Sequence, residues 1–262
     1  DDADPKLVIN AVIGNDSTVS VYLERSVFFL TQADDIQIVS GANITLTNNS
    51  TGESNSVNTP TKDNRYDFAV TANPNTSYEI RVTHPDYPTA YSVMTTSVNV
   101  DLTKVDTSSY LTDGKLIRKS ILEWTDPPGK NFYFVKVFNY DANQNSTYPT
   151  YFSTQDPSFE DGEVPAGEEA NKYEFIYFTD ELFDGELKKM ELLFETYDKA
   201  GTADDPVYNY ELISMNEESY KYHVSVEKGK VSGIFTEPVK IFNNIEDGFG
   251  IFCSFNRSII TK

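Results

Sequence analysis

The chain has 262 residues, 39% of them hydrophobic, with 17 Tyr and 17 Phe. Aromatics that each bury about 150–250 Å² supply a real core, which excludes a disordered chain. Forty-one acids against 21 bases leave a net charge of −20, which excludes the basic footprint of a nucleic-acid binder and simple adsorption to an anionic membrane surface.

At roughly 100–200 residues per domain, this length predicts two domains. Strand signals begin at residues 6–13, where Leu7, Val8, Ile9, Val12 and Ile13 are β-formers. Short apolar runs follow at 19–23 and 27–30. In 42–47, Ala42, Ile44 and Leu46 alternate with Asn43, Thr45 and Thr47, the period of a half-buried strand. Residues 48–61 read as a polar turn region. Strands are expected at 65–70 and 77–83, the second with Tyr78, Ile80 and Val82 on one face. A last strand at 91–100 completes a set whose spacing predicts a sandwich. The polar stretch 101–114, with its Asp113-Gly114 turn, marks the expected boundary between a domain at 1–105 and one at 115–262.

The second half opens with a strand at 116–124 and a strong turn at Asp126-Pro127-Pro128-Gly129. Residues 132–140 form an aromatic-rich strand that reads as buried on both faces. Further strands are expected at 173–178, 191–197 and 208–214. Residues 216–228 predict a helix: Asn216 suits an N-cap and Glu217 and Glu218 a first turn. Tyr220, Tyr222, Val224 and Val226 also alternate as in a strand. Residues 236–260 read as two or three strands with tight turns, and 237–252 as strand, glycine turn, strand. The expected fold is therefore mainly β: two β-sandwich domains of immunoglobulin-like or Greek-key type, with at most one or two short helices in the second.

The search for chemistry assigns no catalytic, cofactor-binding or metal residue. Cys253 is the only cysteine, which excludes an intrachain disulfide, and in an aromatic strand it reads as a small buried hydrophobe. His84 and His223 are the only histidines. There is no P-loop, metalloprotease pair or dinucleotide fingerprint. Gly248-Phe249-Gly250 reads as hairpin geometry. Asp141, Asn143 and Asn145 have the spacing that opens a calcium loop. But Ser146 stands where the sharp-turn glycine belongs, and Phe152 where the bidentate acid belongs. Residues 155–195 hold 13 acids and 3 lysines. There Asp156, Glu160, Asp161 and Glu163 are either a solvated loop or a set converging on a calcium ion. The Tyr and Phe side chains read as core, though exposed ones at a sandwich end stack on sugars or grip peptides.

Several segments together resemble one family. Ser40 to Leu46, Tyr66 and Tyr78 to Val82 look like the Greek-key domain related to carboxypeptidase-regulatory and transthyretin-like domains. Trp124-Thr125-Asp126-Pro127, Phe178-Thr179-Asp180, Phe183-Asp184-Gly185, Ile213-Ser214-Met215 and Asn243 to Phe252 follow. Over nearly the whole chain this is similar to a Bacteroidetes lipoprotein family, the domain of unknown function four-two-four-nine. The resemblance implies an outer-membrane lipoprotein facing the cell exterior, acylated on a cysteine just before Asp1. Asp1, Asp2 and Asp4 fit the surface-export signal of such proteins. It also implies a non-enzymatic accessory to a TonB-dependent receptor that captures an unknown small ligand, glycan or peptide. The membrane would then be engaged only through the lipid anchor. Two alternatives stand beside this: a cell-surface adhesion module and a carboxylate-based hydrolase.

Overall fold

A computed structural model describes residues 4–14, 19–27, 38–141, 146–159, 171–196, 206–231 and 239–262. The strands, in chain order, are β1 (Leu7–Gly14), β2 (Val19–Arg25), β3 (Asn43–Asn48), β4 (Ser54–Val57), β5 (Arg65–Phe68), β6 (Ser77–His84) and β7 (Tyr87–Thr95). Then come β8 (Lys104–Thr112), β9 (Lys115–Thr125), β10 (Phe132–Asp141), β11 (Ser146–Pro149), β12 (Phe175–Thr179), β13 (Leu187–Thr196) and β14 (Tyr208–Met215). Helix α1 (Glu217–Val231) and the long strand β15 (Phe249–Thr261) close the chain. The fold is mainly β, with one helix among the described residues, as the sequence predicts.

The chain divides into two compact units that are not continuous in sequence. The first holds Asp1–Val98, Asn216–Val226 and Val239–Asn256; the second holds Asn99–Met215, Glu227–Pro238 and Arg257–Lys262. The expected ranges, 1–105 and 115–262, drew a single boundary. The helix and the last strand each begin in the first unit and end in the second.

In the first unit one sheet has the order β15-β1-β2-β5 and the other β4-β3-β6-β7. The alternation seen in the sequence sets the core between them. Leu7, Ile9 and Ala11 of β1, Ile44 and Leu46 of β3, and Tyr78, Ile80 and Val82 of β6 are buried in one cluster. Each Leu, Ile or Val among them contributes about 1.5–3 kcal/mol when fully buried. Tyr66 joins them and donates its hydroxyl to the Val39 carbonyl at 3.2 Å, so the phenol is buried with its polar tip satisfied. The expected strand at 27–30 begins at exposed Val27, outside any strand; residues 28–30 lie outside the described residues. The region 48–61 is a turn only in part: β4 pairs with β3 there. Its exposed face is a ladder of Thr45–Ser56 and Thr47–Ser54 hydroxyl bonds at 2.9 Å. A strand held by hydroxyls carries little apolar signal.

The stretch 101–114 departs from its expected role as a linker. Residues 104–112 are β8, joined to β9 through Asp113 and Gly114 at φ of 48° and 75°. Both positive values belong to a tight hairpin turn, so the expected turn is present and its upstream arm is a strand. In the second unit β13-β9-β8 form one sheet. In the other, β10 takes β14 along one edge and β12, then β11, along the opposite edge. The end of β15 runs beside β14, with Tyr208 and Lys262 exchanging backbone bonds of 2.7 and 2.9 Å. Buried Trp124 of β9 lies 5.7 Å from Tyr133 of β10, ring centre to ring centre.

The expected hairpin at 237–252 is corrected over 239–252; residues 237 and 238 lie outside the described residues. Residues 249–261 are one strand, and β1 pairs with it in parallel, Ile9 opposite Gly250. Gly250 sits at φ 113°, and an added Cβ would fall 2.1 Å from the Ile9 carbonyl oxygen. The glycine serves close approach to β1 rather than a turn. Ahead of it the chain pairs through a side chain: the Asn244 carboxamide gives and takes bonds of 2.8 Å with the Phe252 carbonyl and N–H.

Candidate functional site

Two places in the second unit concentrate polar chemistry. The first grows from the Trp-Thr-Asp and Phe-Thr-Asp segments. Asp126 follows β9, Asp180 follows β12, and Asp184 lies in the next turn; an oxygen from each falls within 4.8 Å of the others. Asp126 and Asp180 are buried, Asp184 exposed. Tyr133 donates its hydroxyl to Asp126 Oδ1, and the Gly185 N–H donates to Oδ2 at 2.8 Å. Asp180 Oδ2 accepts the Asn131 backbone N–H at 2.8 Å and its side-chain amide at 3.1 Å. Asp184 Oδ1 accepts the Gly129 N–H at 2.8 Å. Burial pushes the Asp126 and Asp180 carboxyls above the usual range, their hydrogen bonds pull them back, and neighbouring acids push further up. Burial also pushes the Tyr133 phenol up. Each acid has oxygens engaged by the chain's own donors, so the arrangement ties three turns together around Trp124, Tyr133, Phe178 and Phe183.

The second is a pocket of about 500 Å³, inside the ~300–1,000 Å³ range of small-molecule sites. Strand register builds its wall. Asn139 of β10 stands opposite Tyr148 of β11 on one side and Tyr208 of β14 on the other. Opposite residues share a face, so the three side chains form a row. Pro149, Thr150, Tyr151, Lys172, Glu195 and Pro206 complete the lining. Tyr208 is a fixed back wall: it is buried, its hydroxyl is bonded to Thr196 Oγ1 at 2.8 Å, and Phe194 meets its ring edge-on at 4.9 Å. Tyr148 and Tyr151 are 40% and 45% exposed, large rings presented to solvent where burial would be the default. Glu195 is held by Lys115 at 2.9 Å.

The residues singled out in the sequence fall elsewhere. Cys253 is buried, and burial pushes its thiol up to about 12, so it is an unreactive core group. His84 bonds the Ser40 carbonyl through Nε2 and accepts the Asp86 N–H at Nδ1, both at 3.0 Å. His223 lies on α1, its ring 5.7 Å from Tyr222. Asp156 is buried against Lys188 at 2.7 Å, a cation that already occupies it. Glu160, Asp161 and Glu163 lie outside the described residues, as do residues 142–145 of the calcium-like stretch. In the sequence the pocket tyrosines read as core. Their one signal is Tyr148-Pro149-Thr150-Tyr151, two aromatics around a proline, outside any alternating run.

The profile of a family described as a domain of unknown function (DUF4249) matches residues 1–260. The chain belongs to the DUF4249 family. The resemblance carried by its segments is thereby borne out at family level. None of the curated proteins compared with the chain matches it. Among solved structures, one from Corynebacterium diphtheriae, provisionally described as a membrane-anchored protein, is similar at 11% identity and a TM-score of 0.25. The match covers 81% of this DUF4249 chain and 55% of that protein, so the chain spans about half of its length. At that score no property is carried across. No helix among the described residues is long and apolar enough to cross a membrane.

Proposed function

We propose that this DUF4249 protein is a lipid-anchored protein of the Bacteroidetes outer membrane that captures a ligand at the cell surface. It passes that ligand to a TonB-dependent receptor and catalyses no reaction. The observation that carries the reading is the open pocket with two exposed tyrosines, a form suited to holding a small molecule. Its described lining includes one carboxylate, Glu195, whereas acid-pair hydrolysis needs two about 5–9.5 Å apart across a cleft. In such a lipoprotein two acyl chains would hold the protein firmly. The first unit is read as the carboxypeptidase-regulatory or transthyretin-like domain, in keeping with its two facing sheets. Pull-down of the native lipoprotein from solubilised outer membranes tests the reading. A TonB-dependent receptor is expected to co-purify; reproducible isolation of the protein alone would count against it.

One observation favours a second reading, adhesion. Strand β8 is terminal in its sheet and exposed along most of its length, with Tyr110 and Leu111 at 45% and 73% exposure. Such an edge is a template for pairing with another chain. Tyr110→Ser with Leu111→Ser would reduce attachment of cells to surfaces under this reading. Under ligand capture it would leave attachment unchanged.

A further inference from the structure

The lining of the pocket identifies a class of ligand. Two tyrosine rings stand exposed at the mouth, and a third, Tyr208, is fixed behind them. Asn139 sits in the row between Tyr148 and Tyr208 and offers one amide donor pair and one acceptor. Charge around the pocket is balanced: Lys172 and Lys115 are cations, while Glu195, held by Lys115, and Glu174, 3.5 Å from the Tyr151 hydroxyl, are anions. A pocket of this kind has no excess charge with which to draw an ionic ligand. The whole molecule, at −20, repels an anionic one. What remains is a neutral ligand with flat apolar faces and many hydroxyls.

A peptide added as a strand is disfavoured by the local backbone. One way to hold an extended peptide is to add it to a free sheet edge. The edge available here is β11, four residues long and ending at Pro149, which has no N–H to give. A pyranose ring meets the pocket on better terms. Its axial C–H face packs flat on an aromatic ring, and its equatorial hydroxyls lie in the plane where amide and carboxylate groups reach them.

We infer that the pocket binds a neutral oligosaccharide, with Tyr148 and Tyr151 as stacking platforms and Asn139 and Glu195 as hydroxyl partners. The inference rests on the ligand-capture reading and narrows it. A volume near 500 Å³ admits more than one sugar ring, so the recognised unit is a short run within a chain rather than a free monosaccharide.

Isothermal titration calorimetry on the full chain tests this. The probes are neutral gluco-, manno- and xylo-oligosaccharides of three to six rings, beside a panel of uncharged hexapeptides. At least one saccharide is expected to bind saturably. In Tyr148→Ala/Tyr151→Ala its affinity falls by at least about tenfold. In Tyr148→Phe/Tyr151→Phe, which keeps both rings, it stays within about threefold of wild type. The two side chains are 40% and 45% exposed, and Tyr151 gives up a bond of 3.5 Å to Glu174, so each variant is expected to melt close to the wild type, and thermal melting confirms that the fold is intact. The absence of any saccharide binding, or binding that survives the double alanine change, overturns the inference. Hexapeptides that bind the wild type and are lost in the alanine variant overturn it too, while leaving ligand capture in place. The receptor pull-down, which does not depend on the ligand's class, decides capture by itself.

Discussion

Gly250 shows what one missing carbon permits. It lies in β15 at φ 113°, a conformation that side-chain-bearing residues rarely adopt, and the Ile9 carbonyl oxygen would stand 2.1 Å from any Cβ. The obstacle is backbone in a paired strand, so nothing soft is available to move. Gly250→Ala is expected to destabilise the protein by about 3 kcal/mol or more, combining backbone strain with overpacking; a denaturant melt reads this as a lower midpoint at unchanged slope. Glu211 makes the complementary case for charge. Its side chain is 1% exposed in β14, between Lys136 of β10 at 2.8 Å and Arg257 of β15 at 2.5 Å. Two cations hold one buried carboxylate, and each keeps its own access to solvent. Removing the carboxylate leaves both cations without it. Glu211→Ala is expected to cost about 1–3 kcal/mol, below the range for breaking a fully buried pair, because both cations left behind reach solvent. A loss below 1 kcal/mol in the same melt would show that the lysine and arginine simply turn to water.

Among the elements, β15 depends on a side chain standing in for a strand. Asn244 satisfies both the N–H and the C=O of Phe252 at 2.8 Å, and two residues later Glu246 exchanges backbone bonds with Tyr91 of β7. Asn244→Ala leaves both Phe252 groups without that partner, at about 1–3 kcal/mol for each buried group left unsatisfied. Asn244→Asp keeps the acceptor and loses the donor, so its melting temperature is expected to lie between alanine and wild type. Equal melting for all three would mean that water replaces the amide. This contact explains a limit of sequence reading. The segment's glycines were visible, but the partner of Gly250, Ile9, lies some 240 positions away, and no local pattern encodes a parallel pairing. Strands with one wet face were legible, as in Ile44-Thr45-Leu46, because alternation records burial. Strand β8 was not, since a strand exposed along most of its length has no apolar beat to read. The helix was legible from its cap: Asn216 Oδ1 accepts the Ser219 N–H at 3.1 Å. The pocket was illegible because it depends on the register of three strands, which brings Tyr148 and Tyr208 to either side of Asn139.

For the molecule as a whole, acid groups set how stability responds to pH, and two kinds of acid contribute. The many surface carboxylates give a net charge of −20, and their mutual repulsion opposes the compact state until acid neutralises them. The buried acids act locally. Asp126 and Asp180 are both held above their ordinary 3.8, chiefly by burial. A carboxyl whose folded value is raised binds its proton more tightly in the folded chain. Its contribution is present in full below the unfolded value and is lost as pH rises through the folded one. Both effects therefore lower stability as pH climbs from about 4 toward neutrality, and a melt of the wild type alone does not separate them. Asp126→Asn does. Asparagine is nearly the same shape and keeps an acceptor for the Gly185 N–H, but it has no charge to bury. The surface term is almost unchanged by the loss of one acid among 41. The melting temperature of the variant minus that of the wild type is therefore expected to increase with pH across this window. Parallel curves would mean that the carboxylate cluster holds its charge at no cost, with the donors from Tyr133, Asn131, Gly129 and Gly185 fully offsetting burial.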